Sequence, residues 1–526
     1  MNLSEQANLN RWLWPWIILS IVFLFLAPSK QSLWIDEALV ARVAMDSGDV
    51  SGWWRMTWKD PSAERFKPGH TFSAFTLSYV FGTSEYEFRL ANIVWGVMAV
   101  AGLALLGLRL GAAWLPLAFA VHPFVWLYMD ELRPYAMQLA GSCWMLAALV
   151  FVTGSGATGH SRAVWTNIFW AASFICYSAN MLGALSIASC LLVAAGLYLW
   201  RRRWPEREIW AWSAPWIILH AVLSVYFAYR MLTLESSAGA ILWPLTPANI
   251  GYALYELLGF IGFGPGRDKI REVAKSDGVI GILPLMMPYA TSLGSFAAIS
   301  FIALVGIIKS WLANTNRQLI YVFSSVAAIN ILLMFAGAYC AGWPFWGRHL
   351  APALPFILCL SALGYAAFPR ISKVLVSIWI AMMLAGSIHM RFTSLHAKDD
   401  YRAASSYALS VLATNKTVWW AAESIAANYY FLFPIDIKSA FLHTKSLPTA
   451  PTRWPKPPIA GSALGKAILT VNQSSENLAS LPPPDVIILS KVDIFDDSGS
   501  LQKWIKDHGY IATKTFPAFT VWENKE

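Results

Sequence analysis

Apolar residues in this chain come in long blocks separated by short polar joints. Runs near residues 12–28, 89–108, 113–128, 134–152, 163–179, 181–200, 213–232, 292–309, 319–338, 350–368 and 374–390 approach or reach the roughly 20 residues that a helix needs to cross a bilayer. The pattern therefore predicts a polytopic helical chain of about 11 spans. Another run, "HTFSAFTLSYVFG" (70–82), is apolar but only about 13 residues long, a length that suits an interfacial or re-entrant segment better than a span. Two joints are long, 30–87 and 233–292. In the first, "EALVARVAMDSG" reads as a short helix stopped by Gly48. In the second, "PANIGYALYELLGFIG" opens on Pro247 and repeats apolar residues at helical spacing, as a helix lying in the interface would. The polar "GPGRDKIREVAKSDG" that follows is expected to border a cavity.

The pattern changes after residue 390. Residues 391–526 carry 14 Lys+Arg and 12 Asp+Glu. "DYRAASSYALSVLA" and "GSLQKWIKDHG" read as helices, and "KTVWWAA", "KAILTV", "DVIILS" and "YIATKTF" as short buried strands. The chain thus divides into a membrane domain, 1–390, and a small C-terminal α/β domain, 391–526, with a proline-rich loop ("LPTAPTRWPKPP") across its middle.

Composition agrees with the pattern. Of 526 residues, 57% are hydrophobic and only 13% charged, about half the share usual in soluble domains. The net charge of +9 is accounted for by cytoplasmic loops facing anionic lipid and calls for no nucleic acid. "RRRWPER", 201–207, is the densest basic joint, and placing it in the cytoplasm puts the N-terminus inside, the C-terminal domain outside, and Lys309, Arg317, Arg370 and Lys373 inside. The first apolar run is read as an uncleaved anchor, although "APS" after it resembles a signal-peptide cleavage site. The five cysteines lie in or beside apolar runs with no C-x-x-C pair, as small core residues do.

The chemistry-bearing residues collect at the span ends assigned to the outer face. Asp36 and Glu37 follow the first span; taken alone, a solvated pair with Asp36 capping the next helix is the simpler reading. Asp130, Glu131 and Arg133 sit between two apolar runs with almost no loop, where ionisable groups are usually paired and often functional, a structural salt link being the competitor. Lys67 and His70 end the first long joint. Arg348 and His349 open the tenth span, with Arg348 flanked by Trp343, Phe345 and Trp346. Guanidinium groups such as Arg133 and Arg348 grip phosphate oxygens in pairs.

These stretches together resemble the glycosyltransferase C superfamily, in the branch of protein O-mannosyltransferases, aminoarabinose transferases and related bacterial lipopolysaccharide glycosyltransferases. The resemblance rests on "LWIDEALVARVA" after the first span, "KPGHTFSAFTLSYVFGTSEYEFRLANIVWGVMAV", "HPFVWLYMDELRPYAM" and "GRHLAPALPFILCLSALGY", in that order, over about the first 390 residues. It implies an inner-membrane enzyme of the bacterial cell envelope that moves a sugar from a polyprenyl-phosphate carrier to a hydroxyl of a glycan, lipid or protein on the periplasmic face, with inversion. Asp36 matches the first-loop acid that acts as base or orients the acceptor, and Glu37 adjoins it. Glu131 and Arg133 match the acid and arginine of the second loop. Arg348 matches the arginine before the late proline-rich span, and His349 stands where a tyrosine is common. Lys67 and His70 roughly match a basic position late in the first loop. Glu131 is thereby a catalytic candidate beside Asp36 and Glu37, while Arg133, Arg348, Lys67, His70 and His349 are candidates for the donor phosphate. The expectation is that Asp36, Glu131, Arg133 and Arg348 share one water-accessible chamber. No obligatory metal is expected, because two arginines can stabilise the leaving phosphate, yet carboxylates are capable ligands for a divalent cation and that route stays open. The main competitor is a transporter or flippase for a lipid-linked or anionic substrate, which intramembrane arginines also suit, but the repeats frequent in transporters are not visible.

Overall fold

The structure is a computed structural model that describes residues 3–59, 63–154, 159–201, 207–233, 245–342, 345–393, 396–433, 435–436, 468–470, 478, 483–496 and 498–524. Most of "RRRWPER", all of "LPTAPTRWPKPP", and Trp343 lie outside those residues. Contacts divide the chain into two units. The first comprises residues 1–28, 57–73 and 89–396, and the second 29–56, 74–88 and 397–526. The division thus differs from a single cut at 390, because most of the first long joint is counted with the C-terminal residues.

The first unit is helical. Among the described residues, eight helices are long and apolar enough to cross a membrane, so the chain has the make-up of a multi-pass membrane protein. Three of the eleven expected runs are not among the eight. The first is the apolar stretch Leu13–Leu26 of the helix Leu3–Leu26, too short by itself. The run 113–128 is broken into Leu115–Ala120 and Pro123–Met129. The cause is local: Pro123 has no N–H to continue the first helix, and the His122 side chain caps the second by accepting from Phe124 N at 3.2 Å. The run 163–179 forms the helix Gly159–Ala179, long enough but more polar. The short run 70–82 forms Pro68–Phe81. The second long joint holds helices Pro247–Leu257, capped by Thr246, and Arg267–Ser276. Close helix packing relies on small residues: a methyl added at Gly306 or Gly364 would meet the facing backbone at 2.0 and 2.2 Å.

The second unit is built on a six-stranded sheet, β1 (Val418–Ala421), β2 (Ile435–Asp436), β3 (Ile468–Thr470), β4 (Val486–Ser490), β5 (Ile511–Phe516) and β6 (Phe519–Glu523), in the order β2-β3-β1-β4-β6-β5. The strands β2, β3, β1 and β4 run parallel, and β6 pairs antiparallel with β4 and β5. β1 and β4 are buried throughout, as central strands of such a sheet are. Helices Tyr401–Ala413 and Ser500–Asp507 match the expected ones, whereas β2 and β6 were not anticipated. Tyr430 ties the first-joint segments to this unit. Its hydroxyl accepts from Leu33 N at 2.7 Å and Ser32 Oγ at 3.1 Å, and donates to Glu85 Oε1 at 3.2 Å. Arg402 adds an ion pair to Glu85 at 3.5 Å.

Candidate functional site

In the first unit, an organising side chain is one that sequence reasoning passed over. Glu64 sits on a short 3-10 turn, Ala63–Phe66, with Lys67 three residues on. Its Oε1 accepts from Lys67 Nζ at 2.6 Å and from Arg133 Nη1 at 2.7 Å, and all three side chains are buried. One carboxylate thus neutralises part of a double positive charge and leaves the trio with a net charge of about +1. His70 lies in the first turn of Pro68–Phe81, buried beside the trio. Burial pushes its imidazole down to about 3, with Arg133 and Lys67 acting in the same sense and Glu64 opposing. His70 is therefore neutral at physiological pH and contributes a hydrogen-bonding ring where a third cation was expected.

Arg133 is held from below by a stiff turn. The Arg133 N–H donates to Glu131 O at 2.7 Å. Asn92 Nδ2 donates to Met129 O at 3.1 Å and also to the Glu131 carbonyl. Arg89, fully buried, reaches Asp130 at 3.8 Å. Both Arg89 and Asn92 come from the helix Glu85–Leu110, so one rigid element aligns Asp130, Glu131 and Arg133. Asp130 thus has a structural ion pair.

Arg348 lies on the 3-10 segment Gly347–Ala353, with its guanidinium 5.9 Å from the centre of the Tyr135 ring. His349 Nδ1 accepts from Trp346 N at 3.2 Å, which fixes the ring. The charges of Arg348, Lys67 and Arg133 all bear on His349. Across from this segment stands Glu256, 1% exposed, which accepts from Tyr252 at 3.0 Å and Tyr128 at 3.3 Å. Burial pushes Glu256 up to about 7, against Arg267, the Tyr252 hydrogen bond and Arg348, while Glu131 adds to the rise. Arg267 itself stacks over Trp346 at 5.5 Å. Gly347 makes the approach feasible, since a methyl there would lie 2.3 Å from Glu256 Oε2.

Of the eight candidates from the sequence, Glu131, Arg133, Arg348, Lys67, His70 and His349 therefore share one electrostatic neighbourhood in the first unit. Asp36 and Glu37 belong to the second unit. There Asp36 is half-buried in the first turn of the helix Ile35–Asp46. The N-cap position is Trp34, and it is Glu37, not Asp36, that reaches back to the Trp34 N–H, at 3.3 Å. Glu37 is fully buried and pairs with Lys398 Nζ at 3.4 Å. Among the described residues, no group of three or more His, Cys, Asp or Glu side chains is arranged to hold a metal ion.

No protein-family model matches the chain, and no curated protein does. Solved structures do show likeness. ArnT from Cupriavidus metallidurans in the apo state is 14% identical with a TM-score of 0.44, covering 98% of each chain. Archaeal oligosaccharyltransferase AglB from Archaeoglobus fulgidus, in complex with an inhibitory peptide and a dolichol-phosphate, is 12% identical with a TM-score of 0.46, covering 98% of this chain and 74% of that one. Arabinofuranosyltransferase AftD from Mycobacteria is 12% identical with a TM-score of 0.42, covering 98% of this chain and 40% of that one. At such identities no residue here inherits a role from them.

Proposed function

We propose that this chain is an integral-membrane glycosyltransferase that moves a sugar from a polyprenyl-phosphate carrier to a hydroxyl acceptor of the cell envelope, a glycan, lipid or protein, on the outer face of the bacterial inner membrane. The observation that carries the reading is the gathering of Lys67 and Arg133, buried and joined through Glu64, with Arg348 in one electrostatic neighbourhood. Guanidinium and ammonium groups make charge-assisted hydrogen bonds to phosphate oxygens, so such a cluster suits a phosphate. A lipid-linked phosphate brings that anion to the membrane surface, with its prenyl tail in the apolar phase.

In the reaction, the acceptor oxygen attacks the anomeric carbon and the bond from that carbon to the phosphate oxygen breaks. The electron pair leaves with the phosphate. Arg133, Arg348 and Lys67 stabilise the extra charge, an effect whose removal usually costs about 3 kcal/mol or more in the barrier. The neutral His70 ring supplies a hydrogen bond without adding charge, and the His349 ring stands beside Arg348. Asp36 takes the acceptor proton, a service worth about 10²–10⁴-fold. Glu37, buried on Lys398, fixes the turn that carries Asp36. Attack opposite the phosphate inverts the anomeric centre. No step calls for a metal ion. The N-terminus is assigned to the cytoplasm and the C-terminal residues to the periplasm, on the eleven-span count.

Mass analysis of envelope glycans, lipids and glycoproteins, with and without the gene product, identifies the sugar and acceptor. Asp36→Asn then tests the base: sugar transfer falls about 10²-fold or more while carrier binding persists. Unchanged transfer removes Asp36 from the role, and movement of lipid-linked sugar across vesicles without transfer would favour a flippase.

A further inference from the structure

A cavity of about 640 Å³ lies in the first unit, lined among others by Arg109, Arg201, Arg317, Trp200, Trp311 and Tyr321. It is separate from the site above. Arg89 and Arg109 stand on one helix, Glu85–Leu110, twenty residues apart. At 1.5 Å per residue that is ~30 Å, the thickness of a bilayer's hydrocarbon core. Arg89 holds Asp130 at one end, and Arg109 lines the cavity at the other. Tyr135 and Thr153 repeat the relation along Tyr135–Thr153.

The lining is one-sided in charge: three arginines and, among the described residues, no acid. Two of them are set in place. Arg201 Nη1 donates to Thr153 O at 2.9 Å, and Arg317 lies over the Trp311 ring at 4.7 Å. The turn between Trp311 and Arg317 holds Asn314 and Asn316 in left-handed conformations, φ 60° and 55°, and both line the cavity. A bias of basic residues towards one membrane face explains arginines at helix ends. It does not gather three of them, from three different helix ends, around one concave space of ligand size with aromatic walls.

We infer that this cavity binds a phosphate-bearing anion at the membrane face opposite the proposed transfer site. The shared chemistry is a phosphate ester gripped by guanidinium groups, and basic pockets between spans hold lipid headgroups in this way. The source is an anionic phospholipid headgroup or a soluble phosphate.

The test uses the full chain in neutral detergent and counts retained phosphatidic acid by native mass spectrometry, with phosphatidylcholine of the same acyl chains as comparison and inorganic phosphate as competitor. Wild type is expected to retain phosphatidic acid over phosphatidylcholine. The triple variant Arg109→Gln/Arg201→Gln/Arg317→Gln is expected to lose about 10²-fold in affinity. Arg370→Gln/Lys373→Gln, exposed basic residues outside the lining, keeps wild-type retention. If millimolar inorganic phosphate displaces the lipid from wild type, the source is a soluble phosphate; if it does not, the source is the headgroup, and either result supports the site. Equal retention of both lipids by wild type, or equal phosphatidic acid retention by the triple variant, overturns it. Should the triple variant fail to fold, retention by wild type must fall steeply with added salt, and salt-independent retention overturns the inference.

Discussion

Glu64 offers the sharpest perturbation. Its Oε1 lies 2.6 and 2.7 Å from the charged nitrogens of Lys67 and Arg133, with the carboxylate 2% exposed. At an effective dielectric of about 20, each pair attracts with roughly 6 kcal/mol before desolvation. Desolvation removes much of that, and breaking such a buried pair by deleting one partner costs about 3–5 kcal/mol, because the other charge is left stranded. Here two neighbouring charges would lose the same partner. Glu64→Gln keeps the shape and removes the charge, so the loss should sit at or above the middle of that range. Lys67→Met should cost less, since Arg133 remains to satisfy Glu64. A double-mutant cycle in mixed micelles, read by reversible unfolding, should give a coupling of about 2 kcal/mol or more between the two positions. A neutral Glu64→Gln, or additive effects within about 0.5 kcal/mol, would refute the placement of Glu64 as the hub of the cation cluster.

Further outcomes follow from the same neighbourhood. Glu256 has its carboxyl raised from 4.5 to about 7 by burial. Its contribution to stability is fully present below the unfolded value and is lost as pH rises through the folded one, on the order of 3 kcal/mol in all. Thermal unfolding of wild type should therefore weaken between about pH 4.5 and 7, and Glu256→Gln should flatten that window; parallel profiles would contradict it. Gly347→Ala presses a methyl onto Glu256 and should lower stability by about 1–3 kcal/mol, read in the same unfolding assay. Removal of divalent cations with a chelator should leave sugar transfer within about two-fold, and a strict requirement for added metal would show that arginines alone do not carry the phosphate charge.

Much of this molecule is legible along the chain. The helices Glu85–Leu110, Arg317–Ala341 and Ser372–Phe392 coincide closely with apolar runs, because membrane-scale burial leaves a long uniform signal. The break at His122–Pro123 was also written in the sequence, yet a continuous apolar run hides it unless the proline is read as a helix start. Strand β6 had a signal in "PAFTVWE": Pro517 and Ala518, the latter at φ 66°, make the turn, and Phe519 and Val521 alternate inward. β2 is two residues long and offers no pattern. Arg133 and Arg348 were found because charges between apolar runs stand out. Glu64 was not, because "SAERFKP" looks like a solvated loop, and only packing shows that its carboxylate is buried between two cations. Glu256 was hidden in the same way, as one acid on a helix that reads as amphipathic. Pairing across 69 residues, from Glu64 to Arg133, leaves no local trace.

The central claim is that Lys67, Arg133 and Arg348 hold the phosphate of a polyprenyl carrier. Undecaprenyl phosphate, without any sugar, tests this independently of donor and acceptor. Titrated against the purified full chain, it should bind saturably, and Arg133→Ala or Arg348→Ala should weaken binding at least ten-fold relative to the uncharged polyprenol, which lacks the phosphate. Equal affinity for polyprenol and its phosphate, or binding indifferent to both substitutions, would contradict the account.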